Sequence, residues 1–215
     1  MRSAASAWLE QRLGCRLDSD ALLDEALTHR SLGTRNYERL EFLGDAVLSF
    51  IVAEMLYREF DGASEGELSR YRSTLVSGET LGGIALQLGL GEHLRLGEGE
   101  LKSGGFRRAS ILADALEALI GAVYLELGMP AARLAVERLL GARLSELPAA
   151  AELKDPKTRL QERLQARGLG LPRYEVTGVR GEAHRQEFTV RCEVDELGLV
   201  AEATGTSRRR PAPWR

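Results

Sequence analysis

The sequence predicts two parts of different fold class: an all-helical part over residues 1–147 and a small α+β part over 155–215, joined by a linker at 148–154. Three observations predict this division. No segment before residue 150 alternates like a strand, whereas three runs after it do. Leu144–Lys154, rich in Ala and holding Pro148, reads as a connection between them. Charge changes at the same place: residues 1–150 carry 16 Lys/Arg against 22 Asp/Glu, and residues 151–215 carry 13 against 10. An acidic part followed by a basic part suggests catalysis in one and polyanion binding in the other.

The elements follow in order. Asp18 or Ser19 can cap a helix that presents Leu22, Leu23, Ala26 and Leu27 on one side. The next begins near Glu38-Arg39-Leu40-Glu41-Phe42-Leu43-Gly44-Asp45 and runs on through Ala46–Ala53. Ser64 and Glu67 have capping-box spacing before Leu68, which leaves Glu65 in a polar loop. Leu81–Leu90 reads as core, and Gly97–Gly105 as a polar loop. A further apolar helix contains Ser110–Val123. After the linker, Pro156 suits the first turn of a short helix whose apolar stripe is Leu160 and Leu164. Arg173–Val179, Glu187–Val194 and Leu197–Ala203 then alternate, so helix followed by three strands is expected.

Composition narrows the function. The N-terminus has no continuous apolar core, and the longest apolar stretches carry acids, so neither a signal peptide nor a membrane span is expected. Two cysteines far apart, Cys15 and Cys192, read as reduced thiols of a cytoplasmic protein. No nucleophile elbow, Walker loop or Cys/His metal spacing occurs, which argues against a nucleotide cofactor.

The acids carry the chemistry. A helix turns about 100° per residue, so Glu38, Glu41 and Asp45 share one face, as do Asp114 and Glu117. Burying unpaired carboxylates costs several kcal/mol each, and the sequence places too few Lys or Arg nearby to compensate them. A divalent cation would, and hard oxygen ligands suit Mg²⁺ or Mn²⁺. The expectation is a metal-dependent phosphodiesterase. His29 reads as packing at a helix end, and Lys102, Arg107 and Arg108 as either a turn or a phosphate contact.

Three ordered motifs carry a family resemblance. Glu38–Asp45 resembles the signature of ribonuclease III; Leu101-Lys102-Ser103-Gly104-Gly105-Phe106-Arg107-Arg108 with Ile111–Asp114 and Glu117–Gly121 resembles its second half-site. Lys154–Glu162 resembles the opening of a double-stranded-RNA-binding domain. The resemblance implies a homodimeric, Mg²⁺-dependent endonuclease that cuts double-stranded RNA, leaves staggered ends and processes ribosomal-RNA precursors and some messenger RNAs. It implies Glu41, Asp45, Asp114 and Glu117 as metal ligands and Asp45, Glu117, Glu38 and Glu65 as catalytic, the last two matching further acidic positions at the scissile-strand region and the dimer valley. The dimer interface is expected around Phe42–Phe50. By position, Thr158, Gln161, Glu162, His184 and Arg208, Arg209 and Arg210 would meet the RNA. The ending departs from the family: Pro211-Ala212-Pro213-Trp214-Arg215 stands where a final helix is expected, so that helix reads as lost. Two other classes remain open: a regulator that binds double-stranded RNA without cutting it, and a phosphohydrolase of small phosphoesters.

Overall fold

A computed structural model describes residues 3–149, 153, 156–182 and 186–206. The chain divides into two compact units, Met1–Leu153 and Lys154–Arg215.

The first unit is helical: α1 (Ala4–Leu13), α2 (Asp20–Ala26), α3 (Glu38–Glu59), α4 (Glu65–Leu75), α5 (Gly78–Gln87), α6 (Glu98–Lys102) and α7 (Ala109–Ser145). Local signals set several starts. Ser19 caps α2, its side chain accepting from the Leu22 N–H. The same helix start is covered by Glu126 of α7, whose carboxylate accepts from the Asp18 and Ser19 N–H groups. Ser64 and Glu67 form the expected capping box on α4. Glu65 therefore opens a helix rather than lying in a loop. The expected loop at Gly97–Gly105 instead contains α6, with a 3-10 turn at Gly105–Arg107 beyond it. Helix α7 runs to Ser145, taking in the first two residues of the stretch read as connection.

Helices α3 and α7 form the centre. Leu48, Ile51, Leu112, Leu116, Leu119 and Ile120 are fully buried there. Each such side chain contributes about 1.5–3 kcal/mol relative to exposure. Helix α7 is broken at Gly128, which adopts φ 79° and ψ 179°, and Pro130 restarts the second arm. Two loops flank α3 and α7. Thr28 and Arg95 form a parallel bridge, the His29 N–H donates to the Arg95 carbonyl, and the Gly97 N–H donates to Ser31 Oγ. Among the described residues no helix is long and apolar enough to cross a membrane.

The second unit places α8 (Pro156–Gln165) before an antiparallel sheet of β1 (Arg173–Arg180), β2 (Glu187–Val194) and β3 (Leu199–Gly205), in the order β1-β2-β3. This is the expected helix-then-three-strands order. Period-2 alternation decides its core: Phe188, Val190, Cys192 and Val194 are buried on β2, with Leu164 of α8 and Ala203 of β3. Val190 lies opposite Val176 and Ala203 in register. The third run begins later than its alternation suggests, because Asp195–Leu197 makes a 3-10 turn and Gly198 turns at φ 61°. His184, Arg208, Arg209, Arg210 and the Pro-rich ending lie outside the described residues.

Candidate active site

Two glycines bring the acidic helices together. A Cβ on Gly44 of α3 would overlap the Glu117 carbonyl oxygen of α7, and a Cβ on Gly121 would overlap the Leu40 carbonyl oxygen. The helices therefore cross backbone to backbone. Glu41 precedes Gly44 by three residues and Glu117 precedes Gly121 by four, so both acids project beside this crossing.

Glu41, Asp114 and Glu117 converge there. One carboxylate oxygen from each lies within 4.8 Å of the others, and all three side chains are half-buried. Burial pushes the Glu117 carboxyl up to about 8, and the charges of Asp45, Asp114 and Glu41 push the same way. Burial also raises Glu41, with Asp114, Glu38 and Asp45 adding to the rise and Arg30 opposing it. Asp114 is raised by burial, against the pull of His29 and Arg30.

The remaining acids stand differently. Asp45 is exposed and outside the triad, although its charge reaches Glu117; its carboxylate accepts from Ser49 Oγ at 3.5 Å. Glu38 is exposed and pairs with Arg30 at 3.5 Å. Two expectations are corrected here. The acids are half-buried or exposed rather than deeply buried, and Glu38, Glu41 and Asp114 line an open cleft. A cation is also at hand, because Arg30 folds back from the loop before α3. Glu65 does not line the acid cleft. It accepts from Ser69 Oγ at 2.8 Å and lines a separate cavity of about 500 Å³ with Tyr57, Leu68 and Arg72.

The acid cleft, about 380 Å³, is completed by residues that the helical pattern did not single out: His29, Arg30, Ser31, Glu100 and Ser110, with Arg108 and the buried Tyr37. His29 Nδ1 accepts from the Ser31 N–H at 3.1 Å and meets Ser31 Oγ at 2.7 Å, while its ring lies edge-on to Tyr37. That hydrogen bond puts the ring proton on Nε2. Burial and the neighbouring acids push the Tyr37 phenol far up, so it stays protonated. Only the Thr28-His29-Arg30-Ser31 run could have flagged this wall, since the contacts form across the bridge to Arg95.

In the second unit, Thr158, Gln161 and Glu162 fall on α8 at helical spacing, with Gln161 and Glu162 exposed. Lys157 sits over the Tyr174 ring at 4.6 Å, tying α8 to β1.

An all-oxygen donor set of three crowded, half-buried carboxylates fits a hard divalent cation. Proteins of known kind agree in outline. Residues 19–144 match the model of the Ribonuclease-III-like family, and residues 156–210 match the double-stranded RNA binding motif. The chain is 58% identical over 201 residues to ribonuclease 3 of Hahella chejuensis, covering 94% of this chain and 89% of that one. It is 56% identical over 203 residues to ribonuclease 3 of Pseudomonas fluorescens, with the same two coverages. The crystal structure of the nuclease domain of ribonuclease III from Campylobacter jejuni is 40% identical, with a TM-score of 0.63, covering 68% of this chain and 100% of that one. A second structure of that domain, described for flexibility in a region involved in dimer formation, is 42% identical with a TM-score of 0.62, covering 64% of this chain and 97% of that one.

Proposed function

The chain belongs to the ribonuclease III family and is an endoribonuclease that cleaves double-stranded RNA, and from that premise we propose which of its residues do the work. The helical unit, taken as residues 1–147, cuts; the unit at 155–215 holds the duplex. The convergence of Glu41, Asp114 and Glu117 carries this reading. The family uses a divalent metal, and here Mg²⁺, with Mn²⁺ as a substitute, suits the oxygen donors. Glu41, Asp114 and Glu117 would hold it, with Asp45 alongside. Bound there, it supplies an activated water and stabilises charge on the leaving oxygen.

The chain's own groups do the rest. The crossing at Gly44 and Gly121 fixes the spacing of the ligands before RNA arrives. Glu38 holds Arg30 beside the cleft, where its charge offsets the acids facing a polyanion. His29, tied through Nδ1 to Ser31, forms part of the cleft wall. Gln161 and Glu162, with Thr158, meet the minor groove of an A-form duplex and read shape and 2′-hydroxyls.

Two chains pair through the outer face of α3. Phe42, Phe50 and Tyr57 recur there at helical spacing and are 81%, 56% and 71% exposed, more apolar surface than an isolated chain would leave to water. Glu65 lines a cavity that includes Tyr57, so it would face the RNA near that interface. Each chain then cuts one strand, which gives staggered ends. Ribosomal-RNA precursors and some messenger RNAs are the substrates we infer, in the cytoplasm. Sedimentation without RNA should give a dimer; a monomer that still cuts both strands would contradict this assembly.

The test of the site is Glu117→Ala assayed on a long duplex in Mg²⁺. Cutting should fall at least about a thousandfold, because a cation ligand is lost, while gel-shift affinity stays near wild type. Wild-type cutting by the variant would overturn the assignment. A non-cleaving RNA-binding regulator, one of the two other classes left open by the sequence, gains no support from the relatives, which are named as ribonucleases.

A further inference from the structure

We propose that Glu100 is a positioning residue: its carboxylate holds the Arg108 guanidinium on the wall of the acid cleft, where Arg108 binds a backbone phosphate of the RNA strand being cut. The inference rests on the proposed function and assigns a role to two residues that this function leaves unused.

A cleft that gathers Glu38, Glu41 and Asp114 repels the polyanion it has to admit. Cations on the same wall have to offset that repulsion, and the cleft is lined by two, Arg30 and Arg108. Arg30 is held by Glu38 through a single contact at 3.5 Å, in an ion pair that is largely exposed on both sides. Arg108 is built in more firmly. Its Nη1 donates to both Glu100 oxygens, at 2.8 and 3.2 Å, and its Nη2 donates to Ser103 Oγ at 3.2 Å. Ser103 Oγ in turn donates to the Glu100 carbonyl at 3.1 Å.

The backbone is shaped around this clamp. Gly104 turns the chain at φ 77°, and Gly105 is buried with Glu100 packed against it; a Cβ there would stand 2.8 Å from Glu100 Oε2. The Glu100 side chain is only 26% exposed, whereas Arg108 remains 45% exposed. Glu100 is thus turned inward, with both oxygens engaged, and is outside the triad of converging acids. Arg108 keeps Nε and one Nη2 hydrogen without a hydrogen bond among the described residues. A guanidinium fork matches phosphate geometry. Arg108 also immediately precedes α7, the helix that carries Asp114 and Glu117, so the phosphate contact and two of the acids share one rigid element.

Charge alone and positioning make opposite forecasts for Glu100. Removing an acid from a polyanion cleft would tighten binding by simple electrostatics. Loss of affinity on removing it is the signature of a residue that acts through Arg108.

The experiment is duplex binding without divalent cation across a series of KCl concentrations, with cutting in Mg²⁺ measured in parallel. Arg108→Ala should weaken binding about tenfold and lower the slope of log affinity against log salt by about one unit. Glu100→Ala should weaken binding in the same direction and raise KM more than it lowers kcat. The double variant should be no worse than Arg108→Ala alone, since both changes remove one contact. Glu100→Gln, which keeps the volume and one acceptor oxygen, should recover part of the loss. Should Glu100→Ala melt early, Glu100→Gln carries the same comparison. Binding by Glu100→Ala that equals or exceeds wild type overturns the proposal, as does full additivity in the double variant. If the wild-type chain binds duplex but does not cut it, the proposed activity fails while the Glu100–Arg108 comparison is still read from binding.

Discussion

The two units assign their working residues in opposite ways. The helical unit gathers Glu41 from α3 and Asp114 and Glu117 from α7, across a crossing that only glycine permits. The second unit offers Thr158, Gln161 and Glu162 from one turn and a half of a single short helix. The acids are half-buried and shift one another's protonation; Gln161 and Glu162 lie open to water. Hydrolysis needs groups held at fixed separations, so it has to be built from tertiary contacts. Reading the shape of a duplex needs a face, and a face can come from one helix. Substitutions should therefore act steeply in the first unit and shallowly in the second.

The largest effect should come from the crossing. Gly121→Val drives a branched side chain into the Leu40 carbonyl and forces α3 away from α7. Cutting should fall at least about a hundredfold at fixed Mg²⁺, with duplex affinity little changed, because small misplacement of reacting groups is costly. Wild-type turnover by this variant would show that the acids find their places without the glycine contact.

A smaller effect should appear in the cation-free protein as a dependence of melting temperature on pH. The Glu117 carboxyl stands at about 8 in the fold against an ordinary 4.5. The folded chain therefore keeps a proton that the unfolded chain has released. That contribution is complete below about 4.5 and is lost as the pH climbs through about 8. The melting temperature should fall across this window, fall less in Glu117→Gln, and recover on adding Mg²⁺ most strongly at the alkaline end. A flat profile, or one that rises with pH, would break the link between crowding and protonation.

The smallest effect belongs to the second unit. Gln161→Ala should weaken duplex binding about fivefold, the size of one ordinary hydrogen bond, and leave kcat unchanged at saturating RNA. A fall in kcat would mean that α8 does more than hold the duplex.

Helical spacing made the acids visible in the sequence. Glu38, Glu41 and Asp45, and again Asp114 and Glu117, recur at three and four residues, so their shared faces needed no tertiary information. Strand alternation gave the inward set of β2 in the same way. Contacts between distant segments were not legible. Nothing in the spacing of Asp45 distinguishes it from Glu41, yet one is exposed and the other joins the triad. Glu65, expected at the site by resemblance, lines another cavity, between α4 and the Ala53–Tyr57 stretch of α3. Arg30 and Glu100 each meet a partner eight residues away, Glu38 and Arg108, through loops whose course the sequence does not state. The polar run at Gly97–Gly105 concealed α6 because five residues are too few for a periodic signal.

The parallel bridge between Thr28 and Arg95 has a consequence for anyone who recombines this protein with its relatives. Gly97 and Ser31 are 66 residues apart in the chain, yet their hydrogen bond belongs to the same seam as the bridge. A chimera that exchanges the loop before α3 alone would inherit one half of the seam and lose the other. An insertion in either segment would slide His29 and Arg30 past Arg95 and detach that wall from the acids it faces. The two segments form one graft, to be exchanged together and at matched length.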